Sequence, residues 1–202
     1  MTEEKLFPES YRLASECEHG GVTWTTKSSR TVYENPWIRV REDEVMRPDG
    51  SDGIYGVVDL QNDAVFVVAL DERDRVLLVH IDRYTVGSSW EVVAGGTDGE
   101  DPLVAAQREL LEEAGLEAEE WIRAGAMRAL NGVCNAHETV YIARRLREAQ
   151  DASAHRAEEG ITESRWVALP DALGMSTTGE IADGETIAAL AMATAKLATV
   201  PR

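Results

Sequence analysis

The segment GGTDGEDPLVAAQRELLEEAGL, residues 95–116, decides the fold class of this chain. Its apolar residues recur at helical spacing, at Leu103, Ala106, Leu110 and Ala114. Asp101 and Pro102 give a helix start signal, and Gly115 gives a stop signal. The segment therefore predicts an amphipathic α-helix over 103–115.

Three glutamates of this predicted helix, Glu109, Glu112 and Glu113, are spaced three and four residues apart. Residues at this spacing project from one helical face, where like charges repel by a few tenths of a kcal/mol per pair. A cation bound between the carboxylates would turn this repulsion into a net attraction. Carboxylate oxygens are ligands that suit Mg²⁺ or Mn²⁺. A solvated glutamate-rich face is the other interpretation, and the helix alone does not decide between them.

The rest of the chain is rich in strand signals. β-Branched, aromatic and continuous apolar runs predict strands on both sides of the helix, and the sequence at 47–50 predicts a hairpin turn. The predicted strands cover 31–33, 37–46, 54–60, 64–70, 75–79, 90–93, 121–129, 138–145 and 161–168. A final helix is expected over 182–198. These elements indicate a mixed α/β domain, with one helix packed on each side of a sheet.

Composition narrows the classes of function. Acidic residues number 37 against 20 basic ones, and the net charge of −17 opposes binding to nucleic acid. Cys17 and Cys134 lie too far apart in sequence to suggest a disulfide framework or a zinc site. The polar start carries no signal-like apolar stretch, and no run approaches the ~18 apolar residues that span a bilayer. We therefore expect a cytoplasmic protein without nucleic-acid or membrane partners.

Residues 95–116 resemble the Nudix box, the signature of the Nudix hydrolase family. The box has a glycine, a glutamate, seven residues, and then Arg-Glu-aliphatic-x-Glu-Glu-x-Gly-aliphatic; the chain matches it from Glu100 to Leu116. The family has five residues between the glycine and the first glutamate, whereas Gly95 and Glu100 are separated by four. Either the loop is one residue short, or Ala94 occupies the place of the glycine.

The resemblance implies a role for each matching residue. Glu109 and Glu113 would be metal ligands, and Glu112 would be a further ligand or accept a proton from a metal-bound water. Arg108 would orient these carboxylates as part of the catalytic machinery. The implied cofactor is Mg²⁺ or Mn²⁺. Ala94, in the loop before the helix, would offer its backbone carbonyl to the metal, and Glu100, Gly95 and Gly115 would be supporting residues.

Segments outside the box are similar to the ADP-ribose pyrophosphatase-like subfamily. They are Arg83-Tyr84, the Trp-Glu-Val-Val-Ala-Gly stretch at 90–95, the Leu-Asn-Gly stretch at 130–132 with the strand at 138–143 that follows it, and the stretch at 179–187, which resembles the entry to the subfamily's C-terminal helix. Val93 stands where that subfamily usually has proline. Trp37 is a candidate for stacking on a base, although a tryptophan in a strand more often lies in a core or an interface. The candidate substrate-binding residues are Arg83, Tyr84, Glu91, Trp37 and Gly132.

Many enzymes of this family carry a further acid on a loop before the last strand. Glu158, Glu159 and Glu163 fall in that region, and Glu159 is the preferred catalytic candidate. The loop is acidic throughout, so a solvated surface is the alternative for each of them.

The resemblance implies a Nudix-type α/β/α sandwich with a mixed sheet and a small N-terminal antiparallel β extension. The expected division is an extension with a β hairpin over 1–57, of which 1–20 form a short helix or are disordered, and a hydrolase domain over 58–202. The expected activity is metal-dependent hydrolysis of ADP-ribose to AMP and ribose 5-phosphate by a homodimer. Alternatives are a nucleotide sugar, a dinucleotide such as NADH or an oxidised nucleoside triphosphate as substrate, and a non-catalytic nucleotide sensor.

Overall fold

The computed structural model describes residues 23–149 and 161–199. The prediction for residues 1–20 lies outside this part of the chain. In chain order the elements are β1 (Thr25–Glu34), β2 (Ile38–Met46), β3 (Asp52–Leu60), β4 (Ala64–Ala69), β5 (Arg75–Arg83), β6 (Gly87–Glu91), β7 (Val93–Gly96), α1 (Pro102–Ala114), β8 (Leu116–Met127), β9 (Cys134–Asn135), β10 (Glu138–Glu148), β11 (Ile161–Ala168), α2 (Leu169–Thr178) and α3 (Gly184–Thr199). None of the described helices is long and apolar enough to cross a membrane.

The strands form three sheets. The central sheet has the order β7-β4-β10-β8, and β4 and β10 are parallel while the other pairs are antiparallel. A second sheet has the order β11-β5-β6, and the N-terminal strands form a third, β1-β2-β3-β9. The central sheet is therefore mixed, and the N-terminal extension is an antiparallel β1-β2-β3 sheet with β9 added in parallel at one edge.

Strand β4 lies at the centre of the core because both of its faces are covered. Val65 and Val67 pack with residues of α1, whereas Phe66 and Val68 pack with residues of α2 and α3. The alternation follows from the two-residue period of a strand. Helix α1 contacts β4 and β7, and α3 contacts β4 and β10. This arrangement confirms the predicted α/β/α sandwich.

Several elements differ from the sequence prediction: the one strand expected over 90–93 is divided between β6 and β7, and neither β9 nor α2 was expected. Helix α2 was not predicted; it begins directly after β11, where Pro170 stands in its first turn. One face of the sandwich thus carries two helices rather than one. Strands β4 and β5 were expected as neighbouring strands with a polar turn, yet they belong to different sheets and share one bridge, Leu70 to Val76. The predicted domain boundary at 57/58 falls inside β3, and the division stays a prediction.

Helix α1 begins and ends at the residues that its sequence predicts as caps. The side chain of Asp101 accepts a hydrogen bond from the backbone N–H of Leu103 at 2.9 Å, and Pro102 fills the first helical position. Gly115 ends the helix in the left-handed conformation, with φ 68°, which glycine adopts without steric cost. The predicted helix over 103–115 is therefore confirmed to within one residue at each end.

Candidate active site

The box glutamates are presented by α1 at the edge of the central sheet. Ala105, Ala106 and Leu110 are fully buried and fix the inner face of the helix. On the same helix Glu109 and Glu113 are 8% and 3% exposed, which is unusual for ionisable side chains. Two carboxylates buried four residues apart oppose folding unless other groups compensate for their charge.

Arg108 supplies part of that compensation. Its guanidinium donates hydrogen bonds to Glu100 at 3.0 Å, Glu109 at 2.6 Å and Glu112 at 3.2 Å. It also donates to the backbone carbonyl of Gly96 at 2.8 Å. Burial alone would lower the pKa of Arg108, but the bond to Glu100 and the charge of Glu109 raise it above its ordinary value. Arg108 thus contacts Glu100, Glu109 and Glu112, and its part in catalysis stays a prediction.

The loop before α1 passes close to the same carboxylates. A Cβ atom at Gly95 would lie 2.2 Å from the carboxyl carbon of Glu109, so no larger residue fits there without moving that side chain. The chain then turns tightly through Asp98 and Gly99, whose φ angles are 50° and 82°. This geometry favours the short-loop interpretation, in which Gly95 occupies the place of the box glycine.

The backbone of Ala94 touches the second buried glutamate. Its N–H donates to Oε2 of Glu113 at 3.1 Å. The sequence resemblance pointed to the carbonyl of this residue as a metal ligand, and the amide contact brings Ala94 and Glu113 together as expected. The role of the carbonyl stays a prediction.

The donor set fits a hard divalent cation. Buried carboxylates on one helical face, with backbone beside them, are the oxygen ligands that Mg²⁺ and Mn²⁺ prefer. Within residues 23–149 and 161–199 no three acidic, histidine or cysteine side chains converge as a preformed cluster, and Arg108 lies between Glu109 and Glu112. Glu109, Glu112 and Glu113 are the residues that would hold the ion.

A cavity of about 540 Å³ opens beside the loop that carries Ala94 and Gly95. Arg83 lies in its wall and pairs with Glu91, with Nη2 2.7 Å from Oε2. Burial would lower the pKa of Arg83, but the bond to Glu91 and the nearby carboxylates raise it. The cavity therefore contains two of the predicted substrate-binding residues. Its charged and loop residues include Arg83, Glu91, Ala94, Glu138, Asp183 and Glu185.

Other predicted residues lie elsewhere. Trp37 is 72% exposed and Tyr84 is fully exposed, and neither lines the cavity. Gly132 is exposed, and its carbonyl accepts a hydrogen bond from Tyr55 at 2.5 Å. Their roles in substrate binding stay predictions.

Of the three loop acids, Glu163 alone belongs to the part of the chain that the structure describes. Glu158 and Glu159 lie outside the described residues. Glu163 is exposed on β11, opposite His80 of β5, and does not line the cavity.

Sequence reasoning assigned no role to three acidic residues of the cavity wall, although the resemblance included the segments that contain them. Glu138 begins β10 and is 5% exposed, and Asp183 and Glu185 stand at the start of α3. The available signal was a glutamate at the head of an otherwise apolar strand. Its meaning depends on α3, which lies more than forty residues further along the chain.

Two family models match the chain. Residues 24–58 match the nucleoside diphosphate sugar hydrolase N-terminal domain, and residues 60–190 match the NUDIX domain. A solved structure titled "Crystal structure of ADP compounds hydrolase" has a TM-score of 0.77 at 17% identity and covers 89% of this chain and 97% of that one. At that identity the likeness shows the fold alone.

Two proteins that are similar in sequence support the same family. An ADP-ribose pyrophosphatase of Mycobacterium tuberculosis is 34% identical over 166 residues, which is 81% of this chain and 79% of the relative. A CMP-5'-(N-acetyl-N-hydroxy-3-aminopropyl)phosphonate hydrolase of Streptomyces rubellomurinus is 27% identical, over 85% of this chain and 82% of the relative. The chain therefore belongs to the Nudix family, and it is a pyrophosphohydrolase.

Proposed function

We propose that this pyrophosphohydrolase cleaves a nucleoside diphosphate linked to a sugar, with ADP-ribose as the substrate and AMP and ribose 5-phosphate as products. One observation carries the proposal: Glu109 and Glu113 are buried beside Ala94 and Gly95, and the substrate-sized cavity opens at that same loop. A box in which every carboxylate is present favours an enzyme over a nucleotide sensor. The ADP-ribose pyrophosphatase relative, at 34% identity, supports the choice of substrate.

The proposal includes a divalent ion, Mg²⁺ or Mn²⁺, held by Glu109, Glu112 and Glu113. Such an ion lowers the pKa of a bound water and neutralises charge on the phosphates. Glu112 is the least buried of the three, and its exposure supports the proposal that it accepts a proton from the metal-bound water. Arg108 keeps Glu109 and Glu112 oriented through its hydrogen bonds to both.

Because the protein is strongly acidic, an anionic substrate must be bound by cations that lie close to the site. The protein carries a net charge of −17, and an anionic diphosphate gains nothing from that field. Arg83 is the cation that lines the described cavity, and Glu91 holds it with two guanidinium nitrogens at 3.2 and 2.7 Å. A fixed guanidinium suits phosphate oxygens, so Arg83 is proposed to hold the diphosphate together with the metal ion.

A nucleoside diphosphate sugar other than ADP-ribose is the second candidate. The match of residues 24–58 to a nucleoside diphosphate sugar hydrolase N-terminal domain favours it. Dinucleotides and oxidised triphosphates have no comparable observation in their favour.

A hydrolysis assay on a panel of nucleoside-diphosphate compounds tests the proposal, with Mg²⁺, with Mn²⁺ and with excess EDTA. ADP-ribose is expected among the best substrates, and EDTA is expected to abolish its turnover. The Glu119→Gln variant is the matched control, because Glu119 is exposed on β8 and away from the cavity. Full activity in excess EDTA would contradict the proposed dependence on a metal ion. A preference for another compound would mean that ADP-ribose is not the substrate.

A homodimer is also proposed. The N-terminal sheet exposes Val32, Tyr33 and Ile54, and Trp24 is exposed directly before its first strand, each by more than half. Aromatic side chains of this kind are enriched at protein interfaces. Light scattering after size-exclusion chromatography is expected to give twice the chain mass of 22.2 kDa, and a monomer mass would contradict the proposal.

The absence of nucleic-acid and membrane partners and the cytoplasmic location stay predictions. They rest on the acidic charge and on the lack of long apolar runs in the sequence. Binding assays with nucleic acid and with vesicles, and cell fractionation, measure them directly.

A further inference from the structure

One threonine of α3 is fully buried and uses its hydroxyl on a distant part of the chain. Thr186 stands in the first turn of α3, and none of its surface is exposed. Its Oγ1 atom accepts a hydrogen bond from the backbone N–H of Val92 at 3.2 Å. Valine has a similar shape and would fill this space without a polar atom, so packing alone does not explain a buried hydroxyl here. The backbone N–H that the hydroxyl meets does explain it.

Val92 is the residue at which the chain passes from one sheet to another. Strand β6 ends at Glu91 and pairs with β5, whereas β7 begins at Val93 and pairs with β4. Val92 belongs to neither strand, and it is buried. A buried backbone N–H costs stability unless it finds a partner, and the hydroxyl of Thr186 is that partner. Thr186 therefore holds the chain at the point where it changes sheets.

The segment between α2 and α3 is bound to β6 by further hydrogen bonds. The N–H of Trp90 donates to the carbonyl of Glu180 at 3.2 Å, and the N–H of Ala182 donates to Oγ of Ser89 at 3.3 Å. Both bonds involve residues of β6 itself, whereas the bond from Val92 lies beyond the end of that strand. Loss of the Val92 bond would therefore release the crossing point without detaching the segment from β6.

Two groups of the candidate site lie within two residues of Val92. Glu91, the residue before it, holds Arg83 in the wall of the cavity, with Nη2 2.7 Å from Oε2. Ala94, two residues after it, donates its N–H to Glu113 at 3.1 Å. Three residues of chain span at most about 11 Å, so a shift at Val92 is passed on to both neighbours. The place of Val92 thus sets the spacing between the cation of the cavity and a buried carboxylate of α1.

We propose that Thr186 is a positioning residue for the hydrolysis: by holding Val92, it fixes the spacing between Arg83 and the α1 carboxylates. A diphosphate must reach Arg83 and the α1 face at once, and a small displacement of one from the other lowers the rate of reaction more than the affinity. The assignment rests on the proposed role of Arg83 in holding the diphosphate. It does not depend on which nucleoside diphosphate compound is the substrate.

Two substitutions separate the hydroxyl from the rest of the side chain. Thr186→Val keeps the shape and loses the acceptor, whereas Thr186→Ser keeps the acceptor and loses a methyl group. Thr186→Val is expected to lower kcat by ~10-fold and to change KM by less than ~2-fold, because the substrate still binds but is misplaced. Thr186→Ser should keep its kcat within ~2-fold of the wild-type value, even if its Tm is lower. A kcat that follows Tm in both variants would show a purely structural role and overturn the proposal.

A double-mutant cycle with Arg83→Ala tests whether the effect passes through the cation. Without Arg83 the spacing no longer matters, so Thr186→Val should lower kcat/KM of the Arg83→Ala protein by less than ~2-fold. Losses that multiply would mean that Thr186 acts without Arg83, and they would overturn the proposal.

The cycle uses the compound of the substrate panel that the wild-type protein hydrolyses fastest. If that compound is not ADP-ribose, the proposed substrate fails while the cycle still tests Thr186. Fast hydrolysis of ADP-ribose by both the wild-type protein and Thr186→Val would overturn the assignment of Thr186 alone.

Nuclear magnetic resonance gives a readout that does not depend on turnover. In Thr186→Val the amide proton of Val92 is expected to move upfield, because its hydrogen bond is lost. The Nε–H proton of Arg83, which is bonded to Glu91, should shift as well. Both resonances should stay close to their wild-type positions in Thr186→Ser. An unchanged Arg83 resonance in Thr186→Val would show that the displacement does not reach the cation, against the proposal.

A matched control lies on the same helix. Thr194 of α3 is exposed, and its hydroxyl donates to the carbonyl of Leu190 within the helix. Thr194→Val should leave kcat, KM and both resonances unchanged. If thermal melts show that Thr186→Val is misfolded, Thr186→Cys replaces it, because a thiol sulfur is a weak acceptor. Its kcat should lie below that of Thr186→Ser, and an equal kcat would overturn the proposal.

Discussion

The two faces of the central sheet hold their buried carboxylates in opposite ways. On the α1 face, Arg108 bonds Glu109, and the backbone of Ala94 donates to Glu113. On the α3 face, Oε2 of Glu138 has no partner, and its charged neighbours are other acids. The protein thus compensates the charge of its buried carboxylates at one face and leaves that of Glu138 without compensation at the other.

The largest expected effect belongs to the α1 face. Glu113→Gln should lower kcat by ~10²-fold or more, because it removes a charged ligand oxygen from the proposed metal site. Glutamine keeps an oxygen that can accept the Ala94 N–H, and the loss of one of two like charges adds at most a few tenths of a kcal/mol to stability. Single-turnover rates and thermal melts on the same samples measure both quantities.

The matched control for this variant is Glu119→Gln on β8, which changes the same functional group at an exposed position. It should retain full activity. An active Glu113→Gln enzyme would mean that the α1 face does not hold the reactive centre.

The next largest expected effect is a change in the free energy of unfolding, caused by Glu138 on the α3 face. The pKa of Glu138 is about 7 in the folded protein, against an ordinary value of 4.5. Between these values the unfolded chain loses its proton first, so the free energy of unfolding falls as pH rises and the penalty is complete above pH 7. One pKa unit corresponds to about 1.4 kcal/mol, so Glu138→Gln should gain up to about 3 kcal/mol at pH 8 relative to pH 4.

Denaturant unfolding of the wild-type protein and of Glu138→Gln across this pH range measures the gain. Glu185, Asp183, Glu91 and Arg83 also face the cavity, so the difference between the two proteins is the informative quantity. Glu148→Gln, at an exposed position of β10, should show no difference that depends on pH. A difference between Glu138→Gln and the wild-type protein that does not change with pH would show that Glu138 has the same pKa in the folded and the unfolded protein, and the contrast between the faces would be lost.

The contrast also explains how much the sequence could predict. Helix α1, its ends and its row of glutamates depend on residues within about four positions of one another, so local pattern is sufficient. The raised pKa of Glu138 depends on burial by a parallel pairing with β4 and on acids of α3, and neither is encoded near residue 138. Helix α2 was missed because Leu169 and Pro170 follow a strand without a polar cap side chain. Arg83 and Glu91 were predicted from resemblance, which already contains tertiary information.

The smallest expected effect is that of a substitution at Gly95, where the loop before α1 meets the cavity. Gly95 lines the cavity, and a Cβ atom added there would overlap the carboxylate of Glu109. Gly95→Ala should therefore displace Glu109 from Arg108 and lower kcat by ~10-fold, as expected for a misplaced reactive group rather than a deleted one. Gly56→Ala is the control, because a Cβ atom at Gly56 of β3 meets nothing within 4 Å. Single-turnover rates of both variants measure the effect, and thermal melts show whether either variant is misfolded. An unchanged rate for Gly95→Ala would mean that the orientation of Glu109 by Arg108 is not needed for turnover.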